Sequence, residues 1–543
     1  LALAALTGRR QPQKPFATIL LALWAGACLV AGATCAFWPL QVPSATRAGW
    51  LVAALMVEFA LILALWLLKS DGLERLLDNC STTILQRPLR LALLPATVLF
   101  AALASGHFSQ WSAARHNAER PNIILITLDT LRADHMGLYG HHLKTTPELD
   151  AFGESAAVFT SCISTAPYTA PAFWSMMTSK YRTAHSVGTP GAPKIIPNQQ
   201  TLARVLSKNG YATAAFVSNS VLHRKRRFWQ GFDLYDDSYT SFTFSGGVIE
   251  RTADKANEYV FNWLDTVGDR RFFLWLHYQD PHGPYVPPDP YLRRLPERIG
   301  AGAPQSLPMT DNDGRSGIPM YQYIPGQSSP SYYRLRYSGE IAYADDLIGD
   351  FLERVKQLGL WEKSVIIFTA DHGESMGEHN YYFCHGHDLT EELIHVPLIV
   401  HAPGVTSGQR VDELVSIIDL APTILAAVGL EGELDGSGMN LMPLLRGSER
   451  RLDREHVIAE DLSNRLCLRS RGMKYISGPD GERLYDLTAD PDELVNLLDE
   501  RPELAGEWRA AAERYRRQEK PQAGAAKDAP RDLENLRNLG YIN

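Results

Sequence analysis

Short runs of β-branched and large apolar residues recur along the chain from Pro121 onward, with stretches of helical periodicity between them. Asn122-Ile-Ile-Leu-Ile-Thr-Leu128 is the first, followed by Ala212 to Ser218, Phe272 to Tyr278, Val365 to Thr369 and Val396 to Val400. Short apolar runs with little polar alternation read as strands covered on both faces. Thr201 to Asn209, Ala253 to Val267 and Gly339 to Gln357 carry the helical pattern between them. Strands alternating with helices predict an α/β domain, its mostly parallel sheet sandwiched by helices.

The flanks read differently. Apolar runs at 16–37, 50–68 and 91–108 are each long enough, or nearly so, to cross a bilayer, which takes about 20 helical residues. Arg9, Arg10 and Lys14 precede the first run, and Lys69, Arg75, Arg87 and Arg90 lie between the second and third. The positive-inside rule then makes the anchor multi-pass in the cytoplasmic membrane, with everything after it on the extracytoplasmic side. Spans upstream of Leu1 are left open, because the chain does not start on methionine. Val286 to Pro330 is rich in Pro, Gly and Ser and reads as a lid, a binding element or a disordered loop. Past Arg450 come short strands (Val457 to Glu460, Lys474 to Ile476, Leu484 to Asp486) and a helix at Pro502 to Gln518, read as a small antiparallel subdomain. The tail from Gln518 to Arg531 has a flexible composition. The expected layout is a membrane anchor over 1–110, a catalytic domain over 120–450 and a C-terminal subdomain with its tail over 451–543.

A formal charge of -8 argues against a general nucleic-acid binder, and the basic run Arg224-Lys225-Arg226-Arg227 reads as a surface turn. The cysteines form no CxxC pair and no disulfide framework. Chemistry concentrates instead at the strand ends, where ligands bind in open α/β sheets. Asp129 follows the first strand; Asp371 and His372 follow Val365 to Ala370; Asp280 and His282 follow Phe272 to Tyr278; His385 stands in Phe383-Cys-His-Gly-His-Asp388. One acid after a strand is more often a helix cap than a ligand, but carboxylates and imidazoles gathered this way suit a divalent metal. Thr169, two residues before Pro171, reads either as a helix N-cap or as a nucleophile at an anion-binding helix start. Spacing leaves both roles open.

Longer motifs add a resemblance. Asn122-Ile-Ile-Leu-Ile-Thr-Leu-Asp-Thr-Leu-Arg-Ala-Asp-His-Met-Gly-Leu-Tyr-Gly140 resembles the opening motif of the sulfatase family, within the alkaline phosphatase superfamily. Leu276-His-Tyr-Gln-Asp-Pro-His-Gly-Pro-Tyr285 and Thr369-Ala-Asp-His-Gly-Glu-Ser-Met-Gly-Glu378 do likewise. Leu484-Tyr-Asp-Leu-Thr-Ala-Asp-Pro-Asp-Glu493 and Leu536-Arg-Asn-Leu-Gly-Tyr-Ile542 look like the family's C-terminal pattern. The resemblance runs from about Pro121 to the end and implies a mostly parallel sheet between helices with a small C-terminal sheet. Family members carry Cys or Ser in a Cys-x-Pro-x-Arg pattern, converted to formylglycine. Here Thr169, Pro171 and Phe173 stand in those places, and Cys162 lacks the following Pro and Arg.

Threonine in that position resembles a phospho-branch of the superfamily, which includes phosphoethanolamine transferases, lipoteichoic acid synthases and nucleotide pyrophosphatases. Carried over, the resemblance implies Asp129, Thr169, Asp371 and His372 as metal ligands, with Thr169 also the nucleophile. His282 and His385 become catalytic residues that bind a second zinc or the phosphate. The phosphoethanolamine transferases open their site with Glu, whereas Asp129 follows the sulfatase habit. His387, Asp388 and Glu391 are candidate supporting partners or surface groups; His185 falls near a family histidine, with Ser186 where Gly is usual. His141 and His142 read as exposed, and Asp134 and His135 as ordering the first loop. The expected activity is hydrolysis of a phosphate ester, less so a sulfate ester, through a covalent Thr169 intermediate, with one or two ions of zinc, manganese or calcium. A phosphoethanolamine-type transfer onto lipid or glycan is the alternative, and a non-catalytic binding protein the third reading.

Overall fold

The computed structural model describes residues 120–187, 199–238, 241–242, 249–295, 306–311 and 313–518. The expected spans at 16–37, 50–68 and 91–108, the tail after Gln518 and the terminal motif Leu536–Ile542 lie outside them. Among the described residues no helix is long and apolar enough to cross a membrane.

The central sheet is built from β1 (Asn122–Leu128), β2 (Ala157–Ile163), β3 (Ala212–Phe216), β4 (Leu234–Asp236), β5 (Phe272–Tyr278), β6 (Ser364–Ala370), β7 (His395–His401) and β8 (Gln409–Ser416). Their spatial order is β8-β2-β7-β6-β1-β5-β3-β4. The central strand β1 is buried along its whole length, as its unbroken apolar run requires. It pairs in parallel with β6 on one side and β5 on the other. β7 alone runs antiparallel to its neighbours β6 and β2, so the sheet is mixed.

Helices pack in two groups. α1 (Pro147–Glu154), α4 (Ala253–Val267) and α5 (Pro330–Gln357) form one; α2 (Thr169–Thr178), α3 (Leu202–Lys208) and α6 (Leu420–Ala427) form the other. α4 shows why the sequence commits to a helix there. Ala253, Ala256, Val260, Leu264 and Val267 recur at three- and four-residue steps and are all buried, while Asp254, Lys255, Glu258, Asn262, Asp265 and Thr266 face outward. A second sheet of β9 (Val457–Glu460), β10 (Leu466–Arg469), β11 (Met473–Gly478) and β12 (Gly481–Asp486) is antiparallel throughout. One of its faces takes α7 (Pro502–Gln518) through Trp508 and Ala512 against Leu468, Tyr475 and Leu484. The other meets Ile163, Leu393 and Leu414 of the first sheet's surroundings through Val457, Ala459 and Ile476.

By sequence the segment 286–330 is a lid, a binding element or a disordered loop; its described residues show some ordered structure. Ile318, Tyr321 and Gln322 are buried, and Ile318–Pro319 and Met309–Thr310 pair as short strands. α5 also starts at Pro330 rather than Gly339, with proline at its first turn, where the missing N–H is no loss.

Candidate functional site

Strand register assembles the centre of the site. Leu128 pairs with Ala370, so the next residues on each strand, Asp129 and Asp371, emerge side by side at the carboxyl edge. Both are fully buried. Asp371 Oδ1 accepts from the backbone N–H groups of Thr130 at 3.3 Å and His372 at 3.0 Å, while Oδ2 has no hydrogen-bond partner. Asp129 Oδ2 accepts from Asn219 Nδ2 at 2.6 Å, while Oδ1 likewise has none. The two unsatisfied oxygens are the ones that face His372 Nε2, at 3.3 Å from Asp371 Oδ2 and 3.7 Å from Asp129 Oδ1.

Thr169 completes this group from α2. The N-cap is Tyr168, making Thr169 the first helical residue rather than the cap. Its Oγ1 lies 3.2 Å from His372 Nε2. Of the two roles left open by the sequence, the cap is therefore the one the structure removes.

The donor set fits a divalent cation. Two donors of one tetrahedral ion with bonds of about 2.0 Å lie about 3.3 Å apart. The contacts of His372 Nε2 with Thr169 Oγ1 (3.2 Å), Asp371 Oδ2 (3.3 Å) and Asp129 Oδ1 (3.7 Å) keep close to that spacing. Asp129, Asp371 and His372 are also close enough together to ligate a single ion. Electrostatics agree. Burial, then the neighbouring Asp371 charge, pushes the Asp129 carboxyl well above its ordinary range, and burial raises Asp371 too. Burial pushes His372 down to about 3. Two buried carboxylates without a full countercharge are costly, and a cation removes that cost.

Beyond this group stand His282 and His385. Ring centroids of His385 lie 4.5 Å from His372 and 5.1 Å from His282, so the three imidazoles form one cluster. Each has Nδ1 tied to an oxygen: His372 to Gly373 O at 2.9 Å, His282 to Gly283 O at 2.8 Å and His385 to Glu374 Oε1 at 2.8 Å. Donation from Nδ1 leaves the Nε2 lone pairs to face the site, the tautomer that metal-ligating histidines adopt. Burial lowers His282 to about 4 and His385 to about 3, so both are neutral.

Three residues passed over in the sequence belong here. Asn219 ends the loop after β3 and holds Asp129. His277 lies inside β5, its Nε2 3.6 Å from Asp129 Oδ2 and its Nδ1 3.2 Å from Thr127 Oγ1. Glu374 is fully buried, orients His385 and accepts from Tyr285 OH at 2.9 Å; burial raises it to about 7. Glu374 stands inside the Thr369–Glu378 motif, which was the available signal.

Other candidates are placed elsewhere. Asp280 turns to the start of α4, where Ala253 N–H bonds it, and burial raises it to about 7. Asp388 forms a two-pronged pair with Arg483, and Glu391 pairs with Arg469 and Lys474, so both tie the second sheet down. His387 stacks on Tyr381 at 3.7 Å. His185 Nε2 contacts Ser175 Oγ at 3.0 Å in a buried pair. His142 is exposed and His141 half-buried, stacked on His135, while Asp134 pairs with Arg132 and His135. Cys162, Cys384 and Cys467 are buried free thiols.

Residues 121–430 match the family model described as sulfatase, and residues 377–505 one described as N-sulphoglucosamine sulphohydrolase, C-terminal. Arylsulfatase K of Xenopus laevis is 31% identical over 191 residues, covering 32% of this chain and 35% of its own length. The chain thus spans about a third of that relative. An arylsulfatase of Clostridium perfringens is 23% identical over 440 residues, 70% of this chain and 90% of its own. Among solved structures, the phosphonate monoester hydrolase of Agrobacterium radiobacter superposes with a TM-score of 0.62 at 22% identity, covering 76% of this chain and 100% of that one. A protein in complex with its substrate D-glucosamine-2-N,6-O-disulfate gives 0.60 at 21% identity, over 74% and 98%. These two likenesses concern the fold, an alkaline phosphatase-like α/β architecture. With its family match extending over more than half its length, the chain belongs to the sulfatase family.

Proposed function

We propose that this chain is a metal-dependent hydrolase of phosphoric esters in which Thr169 takes the phosphoryl group covalently. The observation that carries the reading is the Thr169 hydroxyl at the start of α2, 3.2 Å from His372 Nε2 and grouped with two inward-facing carboxylates. Asp129, Asp371, His372 and Thr169 would hold a zinc, manganese or calcium ion, and His282 and His385, neutral with Nε2 turned inward, suit a second ion better than proton donation. Bound there, a divalent cation supplies the charge that makes a hydroxyl nucleophilic and offsets negative charge on a transferring group.

The chain's own residues account for the rest. Thr169 gives its proton to solvent, its oxygen bonds phosphorus, and the bond to the departing alcohol breaks, that alcohol taking a proton from water. A water molecule then attacks the same phosphorus and releases phosphate and Thr169. The backbone N–H groups at the start of α2 favour the anionic group throughout. Formylglycine chemistry fits poorly, since threonine is not the Cys or Ser from which that group is made. Phe173 also fills the family's arginine place with a fully buried ring, packed 5.1 Å from Trp275 and 4.9 Å from His277.

Sulfate esters form the second reading, favoured by the names of the arylsulfatase relatives. The apolar runs at 16–37, 50–68 and 91–108 support a multi-pass anchor in the cytoplasmic membrane, a catalytic domain over 120–450 on the extracytoplasmic side and a smaller unit from 451. Such an anchor favours a lipid or glycan ester as substrate and keeps phosphoethanolamine-type transfer as the alternative fate of the covalent group. The full chain, assayed on aryl phosphate monoester, phosphodiester and sulfate ester with and without chelator, decides among these. Chelator-sensitive phosphate-ester turnover that falls about 1,000-fold or more in Thr169→Ala is the expected result. Turnover of sulfate ester by the unmodified threonine protein overturns the phosphate preference, and undiminished activity of Thr169→Ala overturns the mechanism.

A further inference from the structure

His277 is wholly buried inside β5, in register with Thr127 on β1, two residues before Asp129. Burial lowers it to about 3, so the ring is neutral and carries a single N–H. Its neighbours decide which nitrogen holds that proton. Thr127 Oγ1 accepts from Trp275 Nε1 at 3.0 Å and lies 3.2 Å from His277 Nδ1. An indole N–H only donates, so the hydroxyl keeps its own hydrogen for a second partner, and Nδ1 is the acceptor beside it. The Thr127 carbonyl, also near the ring, belongs to the sheet ladder, since β1 pairs on both edges. Nδ1 therefore accepts, and the proton sits on Nε2.

That nitrogen makes no hydrogen bond at full strength but faces Asp129 Oδ2 at 3.6 Å. A lone pair on Nε2 would oppose the carboxylate oxygen, whereas an N–H points at it and closes to a bond with a shift of about 0.5 Å. Hydrogen bonds at active sites are often long before a ligand arrives and tighten with it. The ring has little room to turn away, with the Phe173 ring at 4.9 Å and the Trp275 ring at 6.2 Å. Asn219 Nδ2 donates to the same Oδ2 at 2.6 Å, while Oδ1, without a hydrogen-bond partner, is the oxygen 3.7 Å from His372 Nε2.

We propose that His277 is a positioning residue which, together with Asn219, occupies Asp129 Oδ2 and so leaves Oδ1 as the single oxygen that Asp129 offers a cation. This role rests on the cation-binding reading of the site. Two histidines then serve one carboxylate in opposite tautomers, His372 turning a lone pair inward and His277 an N–H. A carboxylate confined to one oxygen suits zinc with its few ligands, whereas calcium takes about six to eight oxygens and often both of a carboxylate.

Calorimetric titration of the chelator-stripped full chain with zinc and with calcium, beside His277→Leu and His277→Gln, tests this. Leucine fills the place without a donor; glutamine sets an amide N–H where Nε2 stands. Zinc affinity is expected to fall about tenfold or more in His277→Leu, with calcium affinity moved less than about threefold. His277→Gln should bring zinc back to within about threefold of the unaltered chain. A merely structural role weakens both ions alike, so equal losses overturn the proposal, as does unchanged zinc affinity or a glutamine variant no better than the leucine one. Should His277→Leu fail to fold, His277→Asn, too short to reach Asp129, takes its place with the same expected loss. The tautomer is read separately, from the ring-nitrogen NMR shifts of isotope-labelled histidine in the metal-free chain, with His277 assigned by its loss in whichever variant folds. A proton on Nε2 is expected, and one on Nδ1 overturns the assignment. If the unaltered chain binds neither ion, the cation reading falls by itself, and the tautomer alone decides whether His277 donates to Asp129.

Discussion

Glu374 stands one layer behind the proposed site. Its carboxylate holds His385 by Nδ1 and is itself held by Tyr285 OH, so the ring orientation at the site depends on a buried acid that points elsewhere. Glu374→Ala should lower metal affinity about 10- to 100-fold, read by titration of the chelated protein with zinc, the range typical for partners of metal-ligating histidines. Unchanged affinity would remove that role. Phe173 makes the opposite kind of prediction. Phe173→Arg restores the family's residue type but buries a charge against Trp275 and His277, and should destabilise the fold by about 3 kcal/mol or more in denaturant titration. At this scale the acids and histidines just past strand ends were legible, because charge at the edge of an apolar run stands out. Asn219 carries no charge and did not announce itself, while His277, hidden within a strand, was marked only by its place in the Leu276–Tyr285 motif. Asp280 carried the same signal as Asp129, and only coordinates show that it serves a helix start.

Elements are joined by a few buried carboxylates. Asp345 on α5 accepts from the backbone N–H groups of Glu148 and Leu149, each at 2.9 Å, and so satisfies the first turn of α1 from another helix. Asp345→Ala should cost about 1–3 kcal/mol, measured by thermal or denaturant unfolding. The Asp388–Arg483 pair, with contacts of 2.6 and 2.7 Å, ties the stretch between β6 and β7 to β12. Burial alone would raise Asp388, but the hydrogen bonds and charge of Arg483 outweigh it and hold the carboxyl at about 2. A folded value below the ordinary one gives stability that is present above about pH 4 and lost as pH falls toward 2. At neutral pH the shift corresponds to about 2 kcal/mol. Asp388→Asn should remove that increment and flatten the acid limb between pH 4 and 2; an unchanged limb would argue against the pair. Apolar runs gave β1, β5 and β9 and helical spacing gave α4, each to its terminal residues. β2 and β8 were missed because Thr160, Ser161, Asp412 and Glu413 interrupt their apolar pattern. A sheet edge tolerates such residues, and β8 is at one.

For the molecule as a whole, the proposed ion would couple folding to cation binding through the buried carboxyl groups at the strand ends. At a free metal concentration 100 times Kd the folded state gains about 2.7 kcal/mol. Chelation should therefore lower the midpoint of thermal unfolding by several degrees, and zinc or manganese should restore it; an unmoved midpoint would deny the ion a place. The reversed strand β7 has a consequence of its own. Because it runs against β6, the chain returns to the sheet at the end it left, and residues 371–394 never cross to the far side. Asp371, His372, Glu374 and His385 are thereby supplied by one local excursion, whereas Asp129, Thr169 and His282 are delivered singly by distant parts of the chain. Four of those seven residues thus sit on a cassette clipped between two adjacent strands and fastened from outside by Arg483 and Lys474 of the second sheet.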